Sequence, residues 1–170
     1  GSVFARIMKG FGCRVLAFDL NPSSALKNEN LVEYVDLETI YRTSDILSLH
    51  VPLVNETHHM INTSALDKMK PGSILINTSR GELIDSKALI NALKSGHIGG
   101  AGLDVYEEEE EIFFHDLSNK VLQDDVLARL MSFPNVIITS HQGFLTKEAL
   151  TKIAETTLKN IKDFELGNKL

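Results

Sequence analysis

The sequence predicts an α/β fold built on a doubly wound parallel sheet, for three reasons. Short β-rich runs are nearly continuously apolar, as strands covered on both faces must be. Helical patterns lie between these runs, and such alternation is typical of parallel sheets with helices on both faces. Neither a repeat, a low-complexity linker nor a shift in composition marks a second domain among the 170 residues.

Taken in order, strands and helices alternate along the chain. The predicted strands cover 14–18, 46–49, 73–77, 98–103 and 136–138. The predicted helices cover 3–10, 37–43, 64–69, 86–95, 124–131 and 146–166. Asp36 and Asp85 are suited to cap two of these helices at their N-termini, and Gly96 and Gly167 are suited to end two of them.

Composition excludes several classes of protein. Hydrophobic residues make up 43% and charged residues 24%, which argues against a disordered, collagen-like or mucin-like chain. A formal charge of −6 without a basic run argues against a nucleic-acid partner. No apolar stretch approaches the ~18 residues that span a bilayer, and no signal peptide is visible, so no membrane partner is expected. The single cysteine, Cys13, excludes an internal disulfide and suits a reducing compartment, which predicts a cytoplasmic protein.

Asp19 follows the first predicted strand, and ligands of doubly wound sheets bind at the carboxyl ends of the strands. Its carboxylate could accept hydrogen bonds from both hydroxyls of an adenosine ribose, and it would repel the 2′-phosphate of NADP. On position alone, an equally good interpretation is that Asp19 only caps the turn into Asn21-Pro22. Gly1 lies 18 residues earlier. That separation is close to the ~20 residues between a glycine-rich turn and the ribose acid, which favours the first interpretation.

Arg80 follows the strand predicted at 73–77 and lies at the same edge of the sheet. The planar fork of a guanidinium suits bidentate binding of a carboxylate. A surface salt bridge is the commoner role of a lone arginine. Arg80 is nevertheless the only one of the 5 arginines that follows a predicted strand.

An acidic run at 107–111 and a histidine, His141, follow two other predicted strands. Solvated loop is the expected role of four of the five glutamates, and composition alone does not choose the fifth. The ordinary pKa of histidine suits His141 to donate or accept a proton near neutral pH, and a carboxylate partner would hold the ring. The alternative is an exposed or helix-capping histidine.

The remaining cysteine and histidines suggest structural roles. Cys13 is expected to be a small core residue rather than a nucleophile, because no base is adjacent in sequence. In a strand, the rings of His58 and His59 would point to opposite faces. The chain has no zinc-like spacing of ligands, so no metal site is expected.

Five motifs, in this order and at these spacings, resemble the D-isomer-specific 2-hydroxyacid dehydrogenase family. The matching segments cover 1–19, 44–53, 70–81, 102–107 and 140–144, so the match extends over nearly the whole chain. The most specific motifs are those at 77–81 and 104–107.

The resemblance implies roles for individual residues. Arg80 would bind the substrate carboxylate and polarise its carbonyl, and His141 would protonate the carbonyl oxygen as hydride arrives from NADH. Glu109 is the member of the acidic run that aligns with the histidine's carboxylate partner. On the cofactor side, the residues implied to bind NAD are Gly1, Asp19, Val51, Pro52, Thr57, Thr78, Ser79, Arg80 and Asp104.

The resemblance also bears on the organisation of the chain. Gly1 matches the third glycine of the family's dinucleotide fingerprint, which is favoured here over a cloning remnant at Gly1-Ser2. Residues 1–145 would then be a Rossmann-like NAD-binding domain without its first strand, and 146–170 a helix leading back toward an absent substrate domain. The first strand is central in the 3-2-1-4-5-6 order, so its absence would leave two interior edges of the sheet unpaired. We therefore expect the isolated chain to be poorly stable. We also expect it to be inactive, because the substrate domain would not close over the substrate.

The expected activity is reduction of pyruvate to D-lactate by an NADH-dependent enzyme that is a homodimer in its full-length form. The insert at 112–116, with 122–125 after it, points to the lactate branch of the family. Two alternatives stay open. One is a dehydrogenase for another D-2-hydroxy acid, and the other is a non-catalytic module that senses dinucleotides.

Overall fold

A computed structural model describes residues 1–109 and 123–168 of the chain. The described chain consists of two compact units, Gly1–Ser140 and His141–Leu170. The insert at 112–116 and Leu122, on which the lactate branch was inferred, lie outside the described residues. So do Glu110, Glu111 and His115.

All strands in the described part of the chain belong to the first unit, and every pairing between them is parallel. The strands are β1 (Leu16–Ala17), β2 (Glu33–Tyr34), β3 (Ile46–Leu49), β4 (Ser73–Asn77), β5 (Ile98–Leu103) and β6 (Val136–Ile138). They form two separate sheets, one with the order β1-β2 and one with the order β3-β4-β5-β6. The α/β fold with a parallel sheet is therefore confirmed.

Helices connect these strands, and most begin at a side chain that accepts a hydrogen bond from the first turn. In the first unit they are α1 (Ser2–Gly10), α2 (Ser24–Asn28), α3 (Leu37–Thr43), α4 (Thr63–Lys68), α5 (Ser86–Lys94) and α6 (Asp125–Met131), with a short 3-10 helix at Gly81–Leu83. The second unit contains α7 (Lys147–Glu165). Capping acceptors are provided by Ser23, Asp36, Asn62, Asp85, Asp124 and Thr146.

The four-stranded sheet has one packed face and one open face. Leu47 and Leu75 lie in the core together with the buried sides of α3 to α6. Ile46, Ile74 and Ile137 alternate with core residues along their strands and keep 55%, 39% and 69% of their surface exposed. The expectation that the strands are covered on both faces is therefore wrong for these side chains, because α3 to α6 pack together in a single core against one face.

The first predicted strand differs most from the structure. Only Leu16 and Ala17 of the predicted run 14–18 pair as a strand, with the β2 residues Glu33 and Tyr34. Cys13 precedes the strand and is exposed, so its prediction as a core residue is wrong. The short elements β2 and α2 were not predicted, since two and five residues are too few to show a periodic pattern.

Among the described residues, no helix is both long enough and apolar enough to cross a membrane.

Candidate active site

Asn77, the last residue of β4, fixes the loop that carries Arg80. Its side chain is completely buried, at 0% exposure. The amide Nδ2 donates to the backbone oxygen of Arg80 at 2.8 Å, and Oδ1 accepts from the backbone N–H of Ser79 at 3.0 Å. The backbone oxygen of Asn77 accepts from the N–H of Asp104 at 2.9 Å. One buried side chain thus determines the path of the backbone from β4 to Arg80.

Arg80 leaves this loop toward solvent. Its guanidinium is exposed, and Nη1 donates to the backbone oxygen of Ser79 at 2.7 Å. The hydroxyl of Ser79 donates to the backbone oxygen of Val51 at 2.6 Å, which ties the loop after β4 to the loop after β3. A guanidinium has five N–H donors, so the one bond leaves a fork that suits a ligand carboxylate.

The segment after β5 lies directly against the residue that follows Arg80. A Cβ placed on Gly81 would lie 2.1 Å from both the backbone carbon and the backbone oxygen of Tyr106. The segments that carry Arg80 and Glu109 therefore meet backbone to backbone at Gly81, and no side chain fits between them. Asp104, also in this segment, accepts a short hydrogen bond from the hydroxyl of Thr139 after β6.

Glu109 is anchored within the loop that follows β5. Its Oε2 accepts from the backbone N–H of Tyr106 at 2.8 Å. Tyr106 is buried, and its hydroxyl donates to Oδ2 of Asp124 at 2.7 Å. Burial raises the pKa of Tyr106 well above its usual value, and the neighbouring Asp124 carboxylate raises it further. The phenol therefore stays protonated and holds the base of the loop.

Glu107 corrects the expectation that all but one of the acidic residues form a solvated loop. Its Oε1 accepts from Nε2 of His59 at 2.6 Å, and its Oε2 accepts from the backbone N–H of Ser86 at 3.2 Å. The expectation holds for Glu108, whose side chain is exposed. For Glu107 it is wrong, because a partly buried carboxylate requires partners and has them.

His141 has an unusual backbone conformation. Its φ is 54°, and the φ of the preceding Ser140 is 51°. Neither residue is glycine, so each conformation costs of order 1–3 kcal/mol and persists only where the surroundings impose it. Such strain is typical of functional sites. His141 is the first residue of the second unit.

The structure shows how the predicted cofactor residues are held. Asp19 is exposed, and its Oδ1 accepts a hydrogen bond from the N–H of Asn21 at 2.8 Å. One of its two carboxylate oxygens therefore caps the turn, as the alternative interpretation expected. An exposed carboxylate at the end of a parallel strand also fits the vicinal hydroxyls of a ribose. The hydroxyl of Thr57 donates to the backbone oxygen of Pro52 at 2.7 Å, which makes Thr57 a residue that shapes its own loop.

Gly1 and His50 lie together at the start of α1. A Cβ added at Gly1 would come within 3.5 Å of the His50 side chain. The ring of Phe4 is 5.1 Å from that of His50, and Ser48 hydrogen-bonds its Nε2 at 3.0 Å. Partial burial lowers the pKa of His50 below its usual value, which favours the neutral ring.

Three further histidines of the described residues, His58, His59 and His97, have structural partners. His58 and His59 lie in a turn, and their rings stack at 4.0 Å, so the prediction of opposite faces does not apply. His97 donates from Nε2 to the backbone oxygen of Leu66 at 2.9 Å. Within 1–109 and 123–168, no group of three histidine, cysteine or acidic side chains is placed to hold a metal ion.

Residue types alone did not reveal three positions that organise the site. Asn77, His59 and Glu107 were not predicted as site residues. Each nevertheless makes side-chain hydrogen bonds, either between segments distant in sequence or across the Arg80 loop. The available signal was an amide at the end of an otherwise apolar strand, where a buried polar group must find partners.

Comparison with known proteins gives one consistent result. Residues 1–143 match the family described as "D-isomer specific 2-hydroxyacid dehydrogenase, NAD binding domain". D-lactate dehydrogenase of Escherichia coli K12 is 54% identical over 98% of this chain and 50% of its own length. The aromatic 2-oxoacid reductase of Clostridium sporogenes is 46% identical over 92% of this chain and 47% of its own length.

Solved structures agree with these sequence matches. D-lactate dehydrogenase of Aquifex aeolicus, complexed with NAD and lactic acid, has a TM-score of 0.91 and 38% identity, over 99% of this chain and 51% of that one. The chain spans about half the length of the relatives it matches. With its parallel sheet and the loops around Arg80 and Glu109, this chain belongs to the D-isomer specific 2-hydroxyacid dehydrogenase family and matches its NAD-binding domain.

Proposed function

We propose that this chain is part of a longer protein that reduces pyruvate to D-lactate with NADH. The observation that carries the proposal is the meeting of two loops at the carboxyl edge of adjacent strands. One loop presents the exposed guanidinium of Arg80, and the other anchors the carboxylate of Glu109. We call the longer polypeptide the parent protein.

Arg80 binds the carboxylate of the keto acid through a pair of parallel hydrogen bonds and polarises the neighbouring carbonyl. The buried Asn77 fixes the loop that bears it, so the backbone from which the guanidinium extends is already in place before substrate binds. NADH, when bound, supplies the hydride that adds to the carbonyl carbon.

His141 gives its proton to the carbonyl oxygen, so that the keto group becomes the hydroxyl of the product. Glu109 accepts a hydrogen bond from the imidazole and orients the ring toward the carbonyl oxygen. The anchoring of Glu109 on the Tyr106 backbone and the left-handed backbone of His141 support these roles. In the reverse direction, the neutral ring takes the proton back.

On the cofactor side, Asp19 accepts from the ribose hydroxyls and Gly1 belongs to the glycine-rich turn. We place Val51, Pro52 and Thr57 beside the adenosine and pyrophosphate. Thr78, Ser79, Arg80 and Asp104 lie near the nicotinamide end. All of these residues follow strands or begin helices at the carboxyl edge, where doubly wound sheets bind dinucleotides.

Removal of the Arg80 guanidinium tests the catalytic assignment. In the parent protein with pyruvate and NADH, Arg80→Ala should lower kcat/KM by roughly 10²- to 10³-fold, as for the loss of other charge-stabilising donors. Arg42→Ala is the matched control, since Arg42 is exposed and pairs with Glu38 on its own helix. Equal rates for wild type and Arg80→Ala would contradict the assignment.

A bulkier 2-keto acid is a second candidate substrate. The relative named as an aromatic 2-oxoacid reductase, which is 46% identical to this chain, favours it. Side-by-side kcat/KM values for pyruvate and phenylpyruvate decide between them, and we expect pyruvate to be preferred. A protein that binds NADH but turns over neither would instead be the dinucleotide-sensing module.

We also propose that the parent protein is a cytoplasmic homodimer. The exposed thiol of Cys13 is compatible with a reducing compartment, and the family resemblance suggests a dimer formed through the NAD-binding domain. Sedimentation of the parent protein should give twice the monomer mass, and a monomer would contradict this.

The 170-residue chain alone is expected to be poorly stable and inactive. The separation of β1 and β3 into different sheets supports this expectation, since edge strands leave backbone donors and acceptors unpaired. We further propose that 146–170 leads back toward a substrate domain, whose closure is needed for fast turnover. A cooperative melt of the isolated chain, with stoichiometric NADH binding, would contradict the expected instability.

A further inference from the structure

Glu107 connects three segments that are far apart in sequence. It lies in the loop after β5, and its two oxygens bind different elements. Oε1 accepts from Nε2 of His59 in the loop before α4, and Oε2 accepts from the N–H of Ser86 in the first turn of α5. We call the set His59, Ser86 and Glu107 the Glu107 brace.

The segment around His59 is itself paired with the residues that follow Arg80. The N–H of His59 donates to the backbone oxygen of Glu82 at 2.8 Å, and the N–H of Ile61 donates to that of Leu83 at 3.0 Å. The N–H of Asp85 donates to the backbone oxygen of Ile61 at 3.0 Å. His59, through this ladder, holds the backbone that begins at Arg80.

The brace therefore joins the two loops of the proposed site. Gly81 lies against the Tyr106 backbone. Glu107, one residue further along, binds His59 and Ser86. Arg80 directly precedes Gly81, and Glu109 follows Glu107 by two residues, so a shift at this junction changes the separation of Arg80 and Glu109.

Partial burial makes these bonds more effective than a surface ion pair. The side chains of His59 and Glu107 keep 33% and 26% of their surface exposed. Charge-assisted hydrogen bonds gain strength as water is removed from the pair. His59 also has a φ of 49°, a left-handed conformation that the surrounding contacts must impose.

We propose that His59 and Glu107 are positioning residues that set the geometry between Arg80 and Glu109. The inference rests on the proposed function, because it assigns the brace to the site of keto-acid reduction. It predicts a larger effect on the chemical step than on NADH affinity. The proposed ribose residue Asp19 follows β1, which belongs to the other sheet, so only the nicotinamide end of the cofactor lies beside the braced loops. Neither residue contacts the substrate in this account.

The test uses three variants of the parent protein, Glu107→Gln, His59→Gln and the double variant. A displacement of the order of 1 Å can cost a reaction roughly 100-fold, so we expect each single variant to lower kcat by about 10- to 100-fold. The Kd of NADH should change less than kcat does, because the proposed adenosine and pyrophosphate residues lie outside the braced loops. The double variant should lose no more than the worse single variant, because both changes break the same link.

Glu108→Gln is the matched control. It removes the same charge at the adjacent position, and Glu108 is exposed. The proposal is overturned if Glu107→Gln leaves kcat unchanged, if Glu108→Gln lowers kcat equally, or if the two single effects multiply in the double variant. It is also overturned if NADH affinity falls in parallel with kcat.

Amide hydrogen exchange separates failure of the brace from failure of the proposed function. Exchange across 80–86 and 105–109 should be faster in Glu107→Gln than in Glu108→Gln, whether or not the protein turns over a keto acid. If wild type reduces no 2-keto acid, the proposed function fails, and unchanged exchange then overturns the brace as well. If wild type is active and the variant matches it in kcat and exchange, only the brace fails.

Discussion

The four-stranded sheet and the β1-β2 pair support their functional residues in different ways. In the four-stranded sheet, the loops with Arg80 and Glu109 are held by buried groups, namely Asn77, Gly81 and Tyr106. In the pair, two residues of each strand form the whole ladder, and Asp19 follows on an exposed turn. The loops of the proposed substrate side are therefore held in place by this chain, whereas the proposed ribose side has little support within it.

The largest effect should come from the close contact between the two loops. Gly81→Ala places a methyl group 2.1 Å from the Tyr106 backbone, which has to move. We expect a loss of ~3 kcal/mol or more in the free energy of unfolding of the parent protein, measured by urea denaturation. Gly10→Ala is the control, because nothing lies within 4 Å of its added Cβ. Similar stabilities for both variants would show that the loops are not in contact.

A smaller effect is expected from the buried amide beneath Arg80. Asn77→Ala removes two side-chain hydrogen bonds and leaves the oxygen of Arg80 and the N–H of Ser79 without these partners. The free energy of unfolding should fall by about 2 kcal/mol, and the KM for pyruvate should rise because the backbone that carries the guanidinium is no longer fixed. Asn91→Ala, at an exposed position of α5, provides the comparison. A KM unchanged in Asn77→Ala would separate the amide from substrate binding.

The smallest change in stability is expected on the β1-β2 side. Asp19→Asn should alter the free energy of unfolding by no more than about 0.5 kcal/mol, since the site is exposed. Loss of the charge should weaken NADH binding by about tenfold and reduce the preference for NADH over NADPH. Fluorescence titration with both dinucleotides measures the two effects. If the affinities for NADH and NADPH are unchanged, Asp19 does not bind the cofactor and only caps the turn at Asn21.

The same contrast explains how far the sequence could be interpreted. Long elements with caps, such as α3 after Asp36 and α5 after Asp85, were predicted within a residue or two of their bounds. The pair β1-β2 was predicted poorly, because its strands are held by tertiary contacts and show no periodic pattern. An apolar run also does not tell whether one face or both are covered, and Ile137 is exposed although its strand is apolar throughout.

Within the proposed site, sequence suggested residues for the chemistry but not those that hold them. Arg80 and His141 were proposed from residue type and position at strand ends, whereas Glu109 was chosen by resemblance to the family. Glu107 and Glu109 belong to the same acidic run, and only the fold distinguishes a carboxylate bound to His59 from one bound to the Tyr106 backbone. A hydrogen bond between residues 48 positions apart leaves no local pattern in a single sequence.

The most direct test of the central claim is a crystal structure of the parent protein with NADH and oxamate, an unreactive analogue of pyruvate. We expect the Arg80 guanidinium to bind the oxamate carboxylate through two hydrogen bonds. We also expect His141 to lie within hydrogen-bond distance of both the oxamate carbonyl oxygen and the Glu109 carboxylate. Oxamate bound elsewhere, or His141 on a different face of the protein from Arg80 and Glu109, would contradict the account.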